Sequence, residues 1–351
     1  MLLSFARCRH YLTPADPLFF FRCRYGLNPA DTVAISHAHK DGFDEIMTVA
    51  QLFDTRLDIF GKPAQKFYED LAPTATDSYQ RIRLEWLGSD DKEGFKLRQV
   101  ETVTFADVLR EFQSARPTLE QLMDMVPPIK PRHYSISSSM KACPNSVHLL
   151  VVLVDWKTPK GRSRYGQCTR YMSTLDPSKG DVYMSVDIKP SMMHLPPDPR
   201  QPIIMAGLGT GMAPFRAFVQ ERAWQKAQGM EIGPVMLYFG SRHRDEEYLY
   251  GDELDAYKEQ GIISHLGLAF SRDQKQKVYI QDKILEDQKH ISEFLVNHVG
   301  HFYLCGPTWP VPDVRKAISD GIEVQTGRTA ASVSDFLDRL KEDGRYILEV
   351  Y

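Results

Sequence analysis

The sequence has few cysteines, and none of them form a pair at metal-ligand spacing. Its 351 residues include five, without a C-x-x-C motif: Cys8, Cys23, Cys143, Cys168 and Cys305. Iron–sulfur and zinc sites need grouped thiolates, and disulfide frameworks need paired cysteines in a secreted chain. The scatter argues against both and predicts a reducing compartment.

Long apolar runs and a strong charge excess are also absent. No stretch approaches the roughly 18 apolar residues of a membrane span. A net charge of -3 and a pI near 6.4 argue against a general nucleic-acid binder. His37 and His39 form an H-x-H without a further ligand cluster, so no metal site is predicted. The first 24 residues carry four arginines but lack the Ser-rich amphipathic character of a transit segment, which favours a cytoplasmic over a mitochondrial location.

The sequence does contain a glycine-rich turn, in the run IIMAGLGTGMAPFRAFVQER. Gly207, Gly209 and Gly211 follow the apolar stretch Ile203–Ala206, allow close backbone approach to a ligand, and precede an amphipathic helix. Unpaired amides at a helix start attract phosphate. The pattern predicts a nucleotide-phosphate site, although an ordinary strand-to-helix turn fits it equally on its own.

A proline-rich segment, His194–Pro202, predicts a linker. After it, apolar strands alternate with helices, which is typical of a parallel sheet with helices on both faces and ligands at the carboxyl ends of its strands. The predicted strands are Ile203–Ala206, Val235–Gly240, Ile262–Phe270, Phe302–Cys305 and Tyr346–Tyr351, and the predicted helices lie near Phe215–Trp224, Asp252–Glu259, Ile280–Leu285, Ile291–Val299 and Val314–Val324, with a further helix that begins at Ser332 and has Asp335 in a capping box.

Before the linker, β and helical patterns are mixed. Strands of a barrel or sandwich are predicted at Thr32–Ser36, at Val147–Trp156, and from Asp181 onward, where apolar residues alternate up to Ile188. Helical spacing at Phe43–Phe53, Phe105–Phe112 and Leu119–Met125 predicts a helical insertion into this β domain.

The loop AFSRDQKQKVYIQDK follows a predicted strand and combines cations, hydroxyls and an aromatic ring. A 2′-phosphate needs a guanidinium, a second cation and a hydroxyl in one pocket. Ser271, Arg272, Lys277, Tyr279 and Gln281 supply these groups. At the end of a strand in a nucleotide-type sheet the loop predicts NADP in preference to NAD, whereas alone it fits a solvated turn.

Two further motifs suit a second nucleotide. RHYSISSS presents Arg132 for a pyrophosphate, Tyr134 for a planar ring and Ser135 as a hydroxyl. In RYGQCTRYMS, Gly166 precedes a predicted helix start at Gln167–Thr169, a second phosphate site.

Together, RHYS, GQCT, GTGMAPFR, YFGSR, SRDQKQKVYIQ, YLCG and a terminal EVY resemble the FAD- and NADPH-binding module of the diflavin reductases, over roughly Tyr25 to Tyr351. The resemblance implies a ferredoxin–NADP reductase-like fold of two domains. Residues 1–195 would form an antiparallel β-barrel that binds FAD, with a helical insertion at about 43–130. Residues 200–351 would form an α/β parallel-sheet domain that binds NADPH.

The resemblance also implies site residues. FAD contacts are expected at Arg132, His133, Tyr134, Ser135, Leu150, Val151, Val152, Gly166, Gln167, Cys168, Thr169 and Tyr351, and NADPH contacts at Thr210, Arg242, Ser271, Arg272, Lys277, Tyr279, Gln281 and Asp313. Ser135, Cys305 and Glu349 match the family's hydride-transfer residues, with Ser135 near the flavin, Cys305 beside the nicotinamide and Glu349 stabilising developing positive charge. Cys305 alone also fits a small buried hydrophobic residue.

The chain departs from the family pattern at several positions. Glu349 stands where Asp is more usual, the terminal residue is Tyr351 instead of Trp, and Leu208 occupies a position that is often proline. The acidic residue that usually follows the cysteine–glycine pair is here Pro307. In the downstream WPVPD, Asp313 stands one position short of where the family pattern would place it, so we expect a reshaped loop on the nicotinamide side.

The implied function is an NADPH-dependent FAD flavoprotein oxidoreductase that passes electrons to an FMN domain, a haem or an iron–sulfur partner. Two alternatives stay open: a non-catalytic or truncated FAD/NADPH-binding module, and a flavin-free NADP dehydrogenase. A flavodoxin-like domain needs about 150 residues, and only about 24 precede the first recognisable stretch. We therefore expect no FMN site here, with the acceptor in a separate chain or in a longer polypeptide of which this is a piece.

Overall fold

The computed structural model describes residues 2–5, 28–35, 45–180 and 182–351. They form two compact units. The C-terminal unit consists mainly of His133–Val151 and Ile188–Tyr351; the N-terminal unit consists mainly of the described residues up to Arg132 together with Val152–Asp187. The expected FAD and NADPH domains, 1–195 and 200–351, stay predictions, because these units are defined by packing alone. His37 and His39 lie outside the described residues.

The strands of the described residues are short. In chain order they are β1 (Leu2–Phe5), β2 (Thr32–Ile35), β3 (Glu45–Thr48), β4 (Arg132–Ser135), β5 (Asp155–Lys157), β6 (Ser163–Tyr165), β7 (Val186–Lys189), β8 (Ile203–Leu208), β9 (Val235–Ser241), β10 (His265–Phe270), β11 (His301–Gly306) and β12 (Tyr346–Val350).

The α-helices of the described residues divide between the two units. In the N-terminal unit they are Val49–Gln51, Gln65–Leu71, Ser78–Ser89, Lys92–Val100, Phe105–Glu111, Leu119–Met125 and Gln167–Ser173. In the C-terminal unit they are Met212–Ala227, Arg244–Glu247, Gly251–Glu259, Ile280–Glu286, Gln288–Asn297, Val311–Thr326 and Ala330–Glu342.

The parallel sheet predicted after the linker is confirmed. Its five strands run in the order β10-β9-β8-β11-β12, and each neighbouring pair is parallel. Successive residues of β8 face opposite cores: Ile204 packs with Ile284, Ile318 and other helix residues on one face, and Ile203 packs with a cluster on the other. Because both faces are covered, the strands are continuous apolar runs. The carboxyl ends of all five strands consequently meet at one edge of the sheet.

The N-terminal unit has a mainly helical core. Leu52, Tyr68, Leu84 and Leu109 are fully buried within it. Within this unit β2 pairs with β3 and β5 pairs with β6, both antiparallel. Among the described residues, β4, β1 and β7 form a three-stranded sheet in the order β4-β1-β7. A two-domain fold with a parallel sheet thus holds, whereas the antiparallel barrel is not confirmed within the described residues.

Two strands predicted before the linker were wrong in extent, and the strand predicted at Ile262–Phe270 begins only at His265. Most of Val147–Trp156 has no ladder partner; Leu149 makes one isolated bridge to Ile136, and a strand begins only at Asp155. The alternating segment after Asp181 forms a strand only at Val186–Lys189, with its side chains exposed on both faces. Apolar residues in both segments lie at the surface, and periodicity cannot distinguish a core strand from an exposed apolar one.

Two helix predictions also need correction. Phe43–Phe53 contains β3 and then a short helix and a π-helical turn, because β3 pairs with β2 (Phe43 lies outside the described residues). The last helix does not begin at Ser332: Thr329 is its N-cap, and the Thr329 hydroxyl accepts a hydrogen bond from the Ser332 amide. By contrast, Leu119–Met125 is helical as predicted.

Candidate functional site

A cavity of about 340 Å³ lies at the carboxyl edge of the parallel sheet, within the C-terminal unit. Five of the eight predicted NADPH residues line it: Thr210, Arg242, Ser271, Tyr279 and Gln281. They reach the cavity because β8, β9 and β10 end side by side there. The loops after β9 and β10 are joined by the Ser271 amide, which donates to the Ser241 carbonyl at 3.0 Å.

The other three predicted NADPH residues do not line this cavity. Arg272 and Lys277 are exposed on the loop after β10, and Asp313 is exposed in the first turn of Val311–Thr326. The Arg272 amide donates to the Arg242 carbonyl at 2.9 Å, which ties the cationic loop to the cavity wall.

The glycine turn is built around close backbone contact. The turn Gly209–Gly211 follows β8 and leads directly into Met212–Ala227. A Cβ at Gly211 would overlap the Cys305 carbonyl, so the end of β11 approaches there as closely as glycine permits. Gly209 has a φ of +54°, which other residues adopt only with strain. The turn therefore packs against β11 and opens its other side to the cavity.

Two polar atoms of the cavity wall are buried without a hydrogen-bond partner among the described residues. They are Ser241 Oγ and Gln281 Oε1. An unpaired buried polar atom costs free energy, and a polar ligand in the cavity would remove that cost. The wall therefore fits a nucleotide.

Arg242 is paired inside the cavity with a residue that the sequence reasoning missed. Glu247 accepts from the Arg242 amide at 2.8 Å and from Arg242 Nε at 2.7 Å. Burial alone would raise the pKa of Glu247, but the hydrogen bonds from Arg242 outweigh it and lower this pKa. The carboxylate stays charged and fixes one side of the guanidinium, an arrangement that motif spacing does not reveal.

Trp309 was also missed. It lines the cavity with Tyr279; their ring centroids lie 6.4 Å apart, edge to face. Trp309 is 59% exposed although it is a large aromatic residue. Pro307, two residues before Trp309, and Pro310, directly after it, are a sequence signal for a rigid loop. Pro307 also lines the cavity.

Tyr351 reaches the same cavity from the end of β12. Its hydroxyl lies 2.5 Å from Thr210 Oγ1, and its amide donates to the Gly306 carbonyl at 3.1 Å. The residue as a whole is 67% exposed. In this structure the terminal side chain lies against the glycine turn, where a phosphate is predicted.

The three predicted hydride-transfer residues are close together in the C-terminal unit. Cys305 on β11 and Glu349 on β12 are direct partners in the sheet register. Ser135, at the end of β4, donates from its hydroxyl to Glu349 Oε1 at 2.8 Å. Burial, and secondarily the charge of Glu349, raises the pKa of the Cys305 thiol to about 12. Cys305 is therefore a neutral thiol and not a thiolate at ordinary pH.

The remaining predicted FAD residues of the C-terminal unit are exposed or partly buried. His133 is exposed, whereas Tyr134, Leu150 and Val151 are half-buried. Leu150 packs against the sheet core on the side of Met212–Ala227. Their role in binding FAD stays a prediction.

In the N-terminal unit, Gly166 and Thr169 form a compact turn at the start of Gln167–Ser173. The Gly166 amide donates to the Val154 carbonyl at 2.7 Å, and the Val154 amide donates to Thr169 Oγ1 at 3.3 Å. A Cβ at Gly166 would stand 2.8 Å from Thr169 Oγ1 and 3.0 Å from Val154 Cβ, so a larger residue would require these side chains to shift. Cys168 is buried beneath this turn.

The segment before this turn exposes apolar side chains. Val152, Leu153 and Val154 are each about half exposed, at 50%, 55% and 49%. A contiguous exposed apolar surface beside a phosphate-type turn is typical of a site covered by a ligand ring. The residues present therefore fit a flavin nucleotide.

Asp58, an acidic residue that was not predicted, interacts with both Arg132 and Gln167. Gln167 Nε2 donates to Asp58 Oδ1 at 3.4 Å. Burial raises the pKa of Asp58, although the Arg132 cation and the bond from Gln167 act in the opposite direction. Asp58 comes from the helical insertion, far away in sequence, so no local motif pointed to it.

Comparisons with known proteins give two domain matches. Residues 21–171 match the FAD binding domain and residues 205–316 match the oxidoreductase NAD-binding domain. In the described part of the chain, no helix has the length and apolar character needed to cross a membrane, and no group of three or more His, Cys, Asp or Glu residues is placed to hold a metal.

Three similar proteins illustrate the range of relatives. The chain is 50% identical to the sulfite reductase [NADPH] flavoprotein component of Saccharomyces cerevisiae, over 88% of this chain and 30% of the relative. It is 40% identical to the pyruvate dehydrogenase [NADP(+)] of Cryptosporidium parvum, over 88% and 17%, and 35% identical to the NADPH–cytochrome P450 reductase of Bos taurus, over 84% and 45%. The chain thus spans less than half the length of these relatives. It contains an FAD binding domain and an oxidoreductase NAD-binding domain, which imply FAD and NADPH as its cofactors, and it is similar over most of its length to a part of each of these relatives.

Proposed function

We propose that this chain is an NADPH-dependent flavoprotein reductase module, which takes electrons from NADPH through FAD and passes them to a protein partner. The observation that carries the proposal is the contact of Ser135 with Glu349 beside Cys305, on the strands β11 and β12 that are followed by the cavity residues Pro307 and Tyr351. When bound, FAD supplies the chemistry: it accepts a hydride and can release electrons singly.

The chain's own residues would bind and orient the two cofactors. For NADPH, Thr210 and Arg242 suit the pyrophosphate, and Glu247 holds the Arg242 guanidinium in place through Nε and Nη2. Ser271 and Gln281 add polar groups of the cavity, and Arg272 with Lys277 would bind the 2′-phosphate at its rim.

For FAD, Arg132 and the turn from Gly166 to Thr169 would hold phosphate, with Tyr134, Leu150, Val151 and Val152 against the rings. We further propose that the β strands of this part belong to an antiparallel barrel and that Tyr351 covers the flavin face. The exposed apolar surface at Val152–Val154 supports the proposed contact of Val152 with a ring.

Glu349 would act electrostatically. A fixed carboxylate stabilises positive charge that develops on a nicotinamide ring in the transition state, and it does so best when it needs no reorganisation. The Ser135 hydroxyl holds one oxygen of this carboxylate. Cys305, a neutral buried thiol, would pack beside the nicotinamide ring without placing a second negative charge there.

The partner is proposed as an FMN domain, a haem protein or an iron–sulfur protein, and the location as cytoplasmic. The sulfite reductase relative is by name a flavoprotein component, which supports transfer to another protein or domain.

The test is an anaerobic titration of the purified, FAD-loaded protein with NADPH, followed by visible absorbance. We expect FAD to be retained and then bleached by NADPH, with NADH far less effective. Addition of a one-electron dye should restore the oxidised spectrum. Retained FAD that NADPH fails to bleach would favour a non-catalytic module, and failure to bind FAD at all would refute the proposal.

A further inference from the structure

The carboxylate of Glu349 is held by two hydroxyls, of which the motifs identify only one. Ser135 Oγ donates to Oε1 at 2.8 Å, and Ser191 Oγ donates to Oε2 at 2.7 Å. Ser191 lies just after β7, in a segment without helix or strand. Each oxygen of the carboxylate therefore has its own donor.

The direction of the Ser191 bond is fixed by its other partner. The Met193 amide donates to Ser191 Oγ at 2.9 Å. A hydroxyl has one proton, and an ionised carboxylate can only accept, so the Ser191 proton points to Glu349. Met193 is 4% exposed and packs into the sheet core, which anchors the position of this hydroxyl.

A glutamate needs this second donor more than an aspartate would. Its side chain has one more rotatable bond, and each free rotor costs conformational entropy when the group must hold one orientation. With Ser135 alone, the carboxylate of Glu349 could still rotate about its contact. With Ser135 and Ser191 on separate oxygens, the plane of the carboxylate is set from two sides.

Resting on the proposed function, we propose that Ser191 is a positioning residue for hydride transfer: its hydroxyl, anchored by the Met193 amide, fixes the Glu349 carboxylate in the orientation that stabilises the transition state. Ser191 acts through Glu349 and need not touch either cofactor. A preorganised charge is worth more than one that must be reoriented during the reaction.

The contact itself is tested by unfolding, without any activity measurement. Urea unfolding of the protein as purified is compared for Ser191→Ala, Glu349→Ala and the double variant. We expect Ser191→Ala to reduce the folding equilibrium constant about tenfold with Glu349 present and to have little effect without it, because coupled residues are non-additive. An equal effect in both backgrounds would overturn the contact.

The positioning role is tested by rapid-mixing measurement of flavin reduction over a range of NADPH concentrations. We expect Ser191→Ala to slow the limiting rate about tenfold while half-saturation changes less than about twofold, since the hydroxyl acts in the transition state. Ser191→Thr keeps a hydroxyl and should recover most of the rate. Ser146→Ala, which removes an exposed serine elsewhere in the C-terminal unit, is the matched control.

A change in half-saturation alone, or a threonine variant as slow as alanine, would overturn the positioning role. Failure of the proposed function is distinguishable from both outcomes, because the unsubstituted protein would then show no flavin bleaching by NADPH at all.

Discussion

Replacement of both Arg272 and Lys277 by alanine should impair NADPH far more than NADH. Both side chains are exposed on the loop after β10, outside the wall of the cavity at the carboxyl edge of the sheet. They would therefore contact only a part of the nucleotide that lies at the rim of this cavity. The 2′-phosphate is the one group that NADPH has and NADH lacks. Removal of its cationic partners should leave binding of the rest of the dinucleotide intact.

The magnitude follows from exposure. Charge-assisted hydrogen bonds contribute about 1.5–3 kcal/mol, and solvent-exposed pairs fall at or below the lower end. We take about 1.4 kcal/mol for each residue, and hence roughly a hundredfold loss in the apparent affinity for NADPH from the pair. For NADH the change should stay within about threefold.

The assay is steady-state dye reduction with each nucleotide, analysed as kcat/KM. Lys275→Ala is the matched control, because Lys275 is another exposed cation of the same loop that is not assigned to the phosphate. Equal losses for NADPH and NADH, or a loss in Lys275→Ala as large as in the double variant, would refute the reasoning.

Three further predictions concern Tyr351, Cys305 and His301. Tyr351→Ala should improve the use of NADH several-fold because it removes a ring that lies against Thr210, whereas Tyr351→Phe loses only the hydroxyl contact and should change the NADPH/NADH preference little. Steady-state kinetics with both nucleotides measure this preference, and an unchanged preference in Tyr351→Ala would count against a gating ring. Because burial raises the pKa of Cys305 to about 12, an alkylating reagent at pH 8 should modify the partly exposed Cys143 long before Cys305. Peptide mass spectrometry measures the labelling of each cysteine. Rapid labelling of Cys305 in the folded protein would contradict the prediction. Burial and, secondarily, the Arg345 cation lower the pKa of His301 to about 4, so the unfolded chain binds a proton at this histidine more readily than the folded chain does. The free energy of unfolding should therefore fall by at most about 3 kcal/mol between pH 6.5 and pH 4. A His301→Gln variant should lack this component in pH-dependent urea unfolding.

The C-terminal sheet was predictable because its strands are buried on both faces. Val235–Gly240 and Phe302–Cys305 are short apolar runs between helices, and the structure extends each by a residue or two without changing its type. The glycine turn and Thr210 followed from the same logic, since a strand that ends before a helix start places its turn at the ligand edge.

The errors came from apolar residues that are not core residues. Val147–Trp156 has the composition of a strand, yet Val152–Val154 lie at the surface, where their apolar character suits a ligand better than a neighbouring strand. Local spacing also hides contacts between distant residues. Asp58 beside Gln167 and Ser191 beside Glu349 join segments more than 100 residues apart, and no local pattern marks either pair.

Glu247 is a different case. It stands five residues after Arg242, close enough for the sequence to suggest a pair, but the spacing of an exposed turn is also that of an ordinary solvated charge. Only the shared cavity distinguishes the two interpretations.

The most direct test of the account is single-turnover flavin reduction by NADPH carrying deuterium at the transferred position of the nicotinamide, measured anaerobically in the FAD-loaded protein and in Glu349→Gln. The account predicts bleaching that deuterium slows several-fold, and a tenfold or greater loss of rate in Glu349→Gln with FAD still bound. Bleaching that is equally fast in Glu349→Gln, or no bleaching in the unsubstituted protein, would contradict it.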